Sequence, residues 1–123
     1  MYDEGVIKFD LHHRDEPLRS TLFQTQVCKL IAWREILAKL EMVGQDKERY
    51  GGYGFGNISC RVGPPSSGKG RRAFLISGTQ RSGTQCPTLS DFCVVEKYSL
   101  ATNSLSSYGS VKPSSESLSH ATV

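Results

Sequence analysis

The stretch that decides the fold is PLRSTLFQTQVCKLIAWREILAKLEMVG, residues 17–44. Its apolar residues recur at steps of three and four: Leu22, Phe23, Val27, Leu30, Ile31, Ile36, Leu37, Leu40 and Val43. This spacing is typical of an amphipathic α-helix, in which such positions share one face. Pro17 suits the first turn and Gly44 suits the stop. The pattern predicts one long helix over about residues 18–43 with its apolar stripe on the core and Trp33 beside that stripe.

The segments on either side of this helix differ from it in composition and in their pattern of apolar residues. Residues 1–17 are polar and are predicted to be irregular. After the glycine-rich YGGYGFG, three short segments read as strands: NISCRV (57–62), RRAFLIS (71–77) and FCVVEK (92–97). The serine-rich residues 99–110 predict a turn region, and the PSSE run at 113–116 predicts the start of a last helix with Ser114 as its cap.

Composition narrows the class of protein. The 123 residues form one domain or a piece of one. No apolar run approaches the roughly 18 residues of a membrane span, and no apolar segment typical of a secretory signal follows Met1, so we expect a cytoplasmic protein without a membrane partner. The net charge of +3 does not by itself indicate nucleic acid. Four cysteines without paired spacing predict reduced thiols that are mostly buried.

The segment from Arg49 to Ser90 contains no Asp or Glu but six basic residues. Such a segment favours an anionic ligand, although a solvated basic face balanced by acids elsewhere in the fold is the more common reason for such a charge pattern. Within it, GPPSSGKG (63–70) resembles the start of a phosphate-binding P-loop. However, Gly70 stands where a hydroxyl should bind magnesium, and a strand pattern follows where a helix is needed. A hairpin loop with Lys69 in solvent is the favoured interpretation, and nucleotide binding is a remote alternative.

Four stretches carry a family resemblance: GNISCR (56–61), FLISGTQRSG (74–83), LSDFCVV (89–95) and KPSSESLSH (112–120). In this order behind a long helix, they resemble the N-terminal half of the class II aldolase/adducin family. The resemblance implies that residues 18–123 form part of an α/β/α layered domain around a central mixed sheet, incomplete at its C-terminus. It also implies a metal-dependent aldolase or epimerase that acts on a small sugar phosphate or a related hydroxy-carbonyl compound.

The resemblance implies a site as well. The residues that would hold the substrate phosphate are Asn57, Ser82, Gly83, Ser114 and Ser115. In the loop after FLI, Ser77–Gly78 remains an alternative to Ser82–Gly83. Glu116 matches the general acid/base of the family, and the alternative is a helix-start carboxylate without chemistry.

The zinc of the family enzymes is bound by a His-x-His pair and a later His, which the resemblance places beyond Val123. The histidines present are His12, His13 and His120, and none matches those ligands. The chain alone is therefore expected to be an inactive front part of such an enzyme. The alternative is a non-catalytic interaction module of the adducin type. The family further implies a homo-oligomer, and an incomplete sheet would expose apolar strand edges and favour association.

Overall fold

The computed structural model describes residues 7–67, 71–79, 81–84 and 86–123. The helices are α1, Ser20–Lys39, and α2, Ser117–Thr122. The strands are β1 Asp10–Asp15, β2 Gly44–Gln45, β3 Gly54–Phe55, β4 Ser59–Arg61, β5 Phe74–Ser77, β6 Phe92–Ser99 and β7 Ser104–Gly109.

Five strands form the main sheet in the order β1-β7-β6-β5-β4, while β2 and β3 form a separate two-stranded ladder. The β1–β7 pair is parallel and the other pairs of the main sheet are antiparallel. The predicted α/β class with a central mixed sheet is therefore confirmed.

The strands β5 and β6 form the buried centre of the sheet, and their successive side chains point to opposite faces. One face carries the cluster Phe9, Phe74, Ile76, Cys93, Val95, Leu105, Val111 and Ala121. The opposite face carries the cluster Leu18, Phe23, Val27, Leu30, Leu75, Phe92 and Val94. Since α2 contributes to the first cluster and α1 to the second, the two helices lie against opposite faces of the sheet.

The helix α1 is shorter than predicted, and it buries a narrower stripe. Its buried residues are Phe23, Val27, Leu30 and Arg34, which follow one line of three- and four-residue steps. The neighbouring flank is exposed: Leu22, Trp33, Ile36 and Leu40 stand between 48% and 64% accessible. The prediction that the apolar positions all pack on the core is wrong. Only one face of the helix covers the sheet, whereas the sequence places apolar residues on two faces of the helix.

The helix ends at Lys39, before the predicted stop at Gly44. Glu41 turns the chain with a φ of 59°, and the backbone N–H of Met42 donates to the carbonyl of Leu37 at 2.9 Å. A left-handed residue just past the last turn is the usual way to close a helix, and here a non-glycine residue takes that position.

Four strands lie where the sequence predicts none: the two-residue strands β2 and β3, and the longer strands β1 and β7. The strand β1 occupies residues 10–15 of the segment predicted to be irregular, and β7 occupies residues 104–109 of the predicted turn region. Both are polar, and they pair with each other in register from Asp10↔Ser104 to Asp15↔Gly109. Pairing between segments distant in sequence overrides weak local propensity.

The outer strands of the main sheet do not have the expected apolar edges. The strand β1 carries Asp10, His12 and Arg14 as exposed residues, and β4 has only three residues. Charged and short edge strands resist edge-to-edge pairing. None of the described helices is long and apolar enough to cross a membrane.

The glycine-rich stretch 63–70 is described only in part. Pro65–Ser67 form a single 3-10 turn, and Lys69 and Gly70 lie outside the described residues. The strand β5 follows the stretch, as predicted, in the place where a P-loop needs a helix. The prediction of mostly buried thiols holds for Cys93 and in part for Cys60 but is wrong for Cys28 and Cys86, which are exposed.

Candidate functional site

The end of β5 brings two of the predicted site segments together. The backbone N–H of Ser114 donates to the carbonyl of Ser77 at 3.2 Å, and the backbone N–H of Ile58 donates to the Ser77 hydroxyl at 3.3 Å. The two segments are also joined directly, because the Ser114 hydroxyl donates to Oδ1 of Asn57 at 2.6 Å. Residues 57 positions apart in sequence are thus joined directly by side chains.

This hydrogen bond orients the Asn57 amide. The Ser114 hydroxyl is almost fully buried and accepts from the backbone N–H of Glu116 at 3.2 Å, so its own hydrogen points to Asn57. The amide oxygen of Asn57 is then occupied, and its NH2 group has no partner among the described residues. The hydroxyl of the half-buried Ser115 likewise has no partner within the described part of the chain. Both groups can donate to a ligand.

The contact between Asn57 and Ser114 is called the Asn57–Ser114 joint below. A cavity of about 460 Å³, which we call the Asn57 cleft, opens beside it. Its walls are Glu41, Met42, Arg49, Tyr50, Phe55, Gly56, Asn57 and Glu116. The Glu116 residue is exposed, and it therefore stands at the mouth of the cleft with its carboxylate accessible to solvent and ligand.

Arg49 is a cationic wall of the cleft that the sequence analysis did not single out. Its guanidinium carbon lies 4.3 Å from the centre of the Phe55 ring and 5.5 Å from that of Tyr50. It donates to the carbonyl of Glu41 at 3.4 Å, and no ion pair joins it to a carboxylate among the described residues. Aromatic faces hold the guanidinium in place without neutralising it. The stretch without acidic residues that begins at Arg49 was the one sequence signal that could have indicated it.

The backbone before Asn57 is possible only with glycine. Gly56 has a φ of 82°, and a Cβ at this residue would lie 2.2 Å from the carbonyl oxygen of Met42. Because no side chain fits at that distance, the glycine of GNIS permits the close approach that aims Asn57 into the cleft.

The two alternatives for the loop after FLI lie in different places. Ser77–Gly78 lies beside the Asn57–Ser114 joint, since Gly78 forms a bridge with Pro113. Ser82 reaches the same region only through its hydroxyl, which donates to the carbonyl of Gly56 at 2.6 Å. Ser82 and Gly83 line a different cavity, which contains Arg34. The structure therefore brings Asn57, Ser114, Ser115 and Glu116 together and leaves Ser82–Gly83 on the far side of Gly56.

The histidines have structural partners. His120 Nδ1 lies 2.7 Å from the Ser59 hydroxyl, and burial lowers the pKa of His120 while the nearby Glu116 opposes that shift. His13 contacts the Ser107 hydroxyl at 2.8 Å and the carbonyl of Gly109 at 3.1 Å.

Among the described residues, no three His, Cys, Asp or Glu side chains converge in a group that could hold a metal ion. The zinc that the resemblance implies thus has no ligand set in the part of the chain that the structure describes. The described residues therefore do not fit the metal centre that the resemblance implies.

Comparison with family models, with curated proteins and with solved structures found no match to this chain. The case for a function therefore depends on the geometry of the Asn57 cleft and on the family resemblance of the four stretches.

Proposed function

We propose that this chain provides the substrate-binding and proton-transfer part of a class II aldolase- or epimerase-like site, and that the Asn57 cleft takes a small sugar phosphate or a related hydroxy-carbonyl compound. The observation that supports this most is the 2.6 Å hydrogen bond from Ser114 to Asn57. It joins the GNIS and PSSE segments, which carry the resemblance, at the wall of one cleft.

The anionic end of the ligand is held by side chains. The NH2 group of Asn57 and the hydroxyl of Ser115 are donors without partners among the described residues. Arg49 adds a positive charge, which makes hydrogen bonds to a phosphate stronger than those of neutral donors. The helix α2 has only six residues, and the proposal takes no contribution from its N-terminus.

Glu116 is the proton-transfer group of the proposal. Its carboxylate faces the same cleft as Asn57 and can accept a proton from the carbon next to a bound carbonyl and return it to that carbon. The electron pair of the broken C–H bond moves to the carbonyl oxygen, giving an enolate. Because the described residues contain no ligand set for a metal, no step of the proposal uses one.

The test is a titration of the ¹⁵N-labelled chain with dihydroxyacetone phosphate, followed by NMR, with unphosphorylated dihydroxyacetone as the comparison. Amide shifts should concentrate at residues 57 and 114–116. Arg49→Gln should weaken binding about ten-fold or more, because it removes a charged hydrogen bond. Arg14→Gln, which changes an exposed arginine on β1, is the matched control and should have no effect.

The same sample in D2O tests the chemistry. Exchange of the carbon-bound hydrogens next to the carbonyl should exceed the buffer rate and fall to it in Glu116→Gln, while binding persists. Equal binding of the unphosphorylated compound, or full affinity in Arg49→Gln, would exclude the proposed site.

A second candidate function is an interaction module of the adducin type, and one observation favours it. Leu22, Trp33, Ile36 and Leu40 form an exposed apolar flank along α1, and contiguous exposed apolar surface is typical of association sites. In keeping with the homo-oligomer that the family implies, the partner would be a second copy of this chain. No observation favours nucleotide binding through Gly63–Gly70.

A further inference from the structure

A second cavity, of about 450 Å³, is lined by Arg34 and by the loop residues Ser82, Gly83 and Thr84. It shares no lining residue with the Asn57 cleft, and we call it the Arg34 cavity.

Arg34 is a buried cation that faces this cavity. Its residue is only 8% accessible, although arginine is rarely buried without a partner. One terminal nitrogen, Nη2, donates to the carbonyls of Arg81 at 3.2 Å and Ser82 at 2.6 Å. Among the described residues, the other two nitrogens, Nη1 and Nε, have no partner. Donors on two different edges of the guanidinium are thus left without a protein partner in the described part of the chain.

The positive charge of Arg34 also lacks a counter-ion in the described part of the chain. Asp91 lies near enough to favour the charged form, but its ion pair is with Arg81 at 3.8 Å. Glu35 lines the cavity too, and its carboxylate is exposed and lies 4.0 Å from the ammonium of Lys39. Burial lowers the pKa of Arg34, yet a guanidinium stays charged in proteins. An anion in the cavity would supply a counter-charge to this guanidinium.

We propose that the Arg34 cavity binds a small organic oxyanion, a carboxylate or phosphate group on a short apolar body. The free Nη1 group of the guanidinium can donate a charge-assisted hydrogen bond to an oxygen of such a group. The half-buried hydroxyl of Thr84, which has no partner among the described residues, adds a further donor at the wall. Ile31, Val43 and Pro87 supply apolar wall for the body of the ligand.

This site is distinct from the Asn57 cleft, and it uses none of the groups that the proposed function assigns to the substrate phosphate there. It also gives a ligand-binding place to the Ser82–Gly83 loop, which the sequence analysis had assigned to the other cleft.

The experiment is NMR titration of the ¹⁵N-labelled chain with butyrate, with ethyl phosphate and with butyramide, the last being a neutral molecule of butyrate's size. Butyrate or ethyl phosphate should shift the amides of Arg34, Gly83 and Thr84, and butyramide should not. Tighter binding of butyrate would assign the cavity to carboxylates, and tighter binding of ethyl phosphate would assign it to phosphate monoesters.

Two variants separate the sites. Arg34→Gln should weaken binding of the preferred anion about ten- to a hundred-fold, because charged hydrogen bonds are lost. Arg49→Gln, which changes the arginine of the Asn57 cleft, should leave that affinity within about two-fold, well under the ten-fold step of one charged contact. The opposite result, loss in Arg49→Gln with full affinity in Arg34→Gln, would overturn the inference and leave the proposed function intact.

The wild-type chain decides the matter even if Arg34→Gln fails to fold. Shifts confined to residues around Asn57, equal shifts with butyramide, or no shifts at any tested anion would each overturn the proposal. Thr84→Val is a milder second variant at the cavity wall and should weaken binding several-fold, by about the value of one neutral hydrogen bond.

Discussion

Replacing Ser114 by alanine tests the joint on which the Asn57 cleft depends. The Ser114 side chain is almost fully buried, and its hydroxyl takes part in two hydrogen bonds, as donor to Asn57 and as acceptor from the N–H of Glu116. Alanine removes both and leaves the amide oxygen of Asn57 and the N–H of Glu116 without these partners.

The expected loss follows from those two bonds. Each hydrogen bond contributes about 1 kcal/mol net, so Ser114→Ala should lower the free energy of unfolding by about 2 kcal/mol. For a chain of this size, that corresponds to a fall of roughly 6–10 °C in Tm. Asn57→Ala should cost about 1 kcal/mol through the same shared bond. Since both single variants remove that bond, the double variant should cost about 1 kcal/mol less than their sum.

Urea unfolding followed by circular dichroism measures all four proteins of this cycle. Ser119→Ala, an exposed serine of α2, is the matched control and should stay within about 0.5 kcal/mol of the wild type. Additivity of Ser114→Ala and Asn57→Ala to within about 0.3 kcal/mol would show that the two side chains do not interact, and the cleft would lose its basis.

Further predictions concern the backbone, the surface and the titrating groups. Gly56→Ala should lower the free energy of unfolding in urea by about 3 kcal/mol or more, because a positive φ and a backbone clash combine at this residue. Gly52→Ala, at a φ of 85° with nothing within 4 Å, should lower it by only about 1–2 kcal/mol. Equal losses in the two variants would contradict the clash at Gly56. Trp33, which is 60% accessible, should contribute to self-association through the exposed apolar flank of α1. Trp33→Glu should therefore lower the sedimentation coefficient at high protein concentration. An unchanged coefficient would show that this flank plays no part in association. Burial lowers the pKa of His120 in the folded protein, so as pH falls the unfolded chain binds a proton at this histidine before the folded chain does. The free energy of unfolding should therefore decrease as pH drops through about 6.5, the ordinary pKa of histidine. His120→Gln should flatten this pH dependence of stability, and an unchanged pH dependence would show that other groups cause it. Burial raises the pKa of the Cys93 thiol, so a thiol reagent at neutral pH should modify it only at the rate of unfolding, and fast reaction in the folded protein would contradict its burial.

The sequence predicted best where a pattern is local. The helix α1 follows from apolar steps of three and four, and β5 and β6 follow from short apolar runs next to turn residues. The strands β1 and β7 could not be predicted in this way, because DLHHRD and SLSSYG have no run of apolar residues. Their stability comes from pairing with each other across about ninety residues of chain.

The candidate site likewise contains residues that the sequence indicated and residues that only the structure revealed. The motifs pointed to Asn57 and to residues 114–116. The structure places Asn57 and Glu116 at one cleft and joins Ser114 to Asn57, whereas the assignment of a ligand's phosphate to these residues stays a prediction. Arg49 and Arg34 were missed, because nothing in the sequence around an arginine says which one will stack on an aromatic ring and which will be buried beside a cavity.

The amino-acid sequence by itself determined the existence of α1 and of the central strands, because side-chain period and turn chemistry act over a few neighbouring residues. The expected fold class and the candidate site residues came from the family resemblance of four stretches. Only the tertiary structure decided which flank of α1 is buried, which strands complete the sheet, and that Asn57 meets Ser114 while Ser82 faces Arg34. Those outcomes depend on contacts between residues tens of positions apart, whose geometry is set by packing the whole chain.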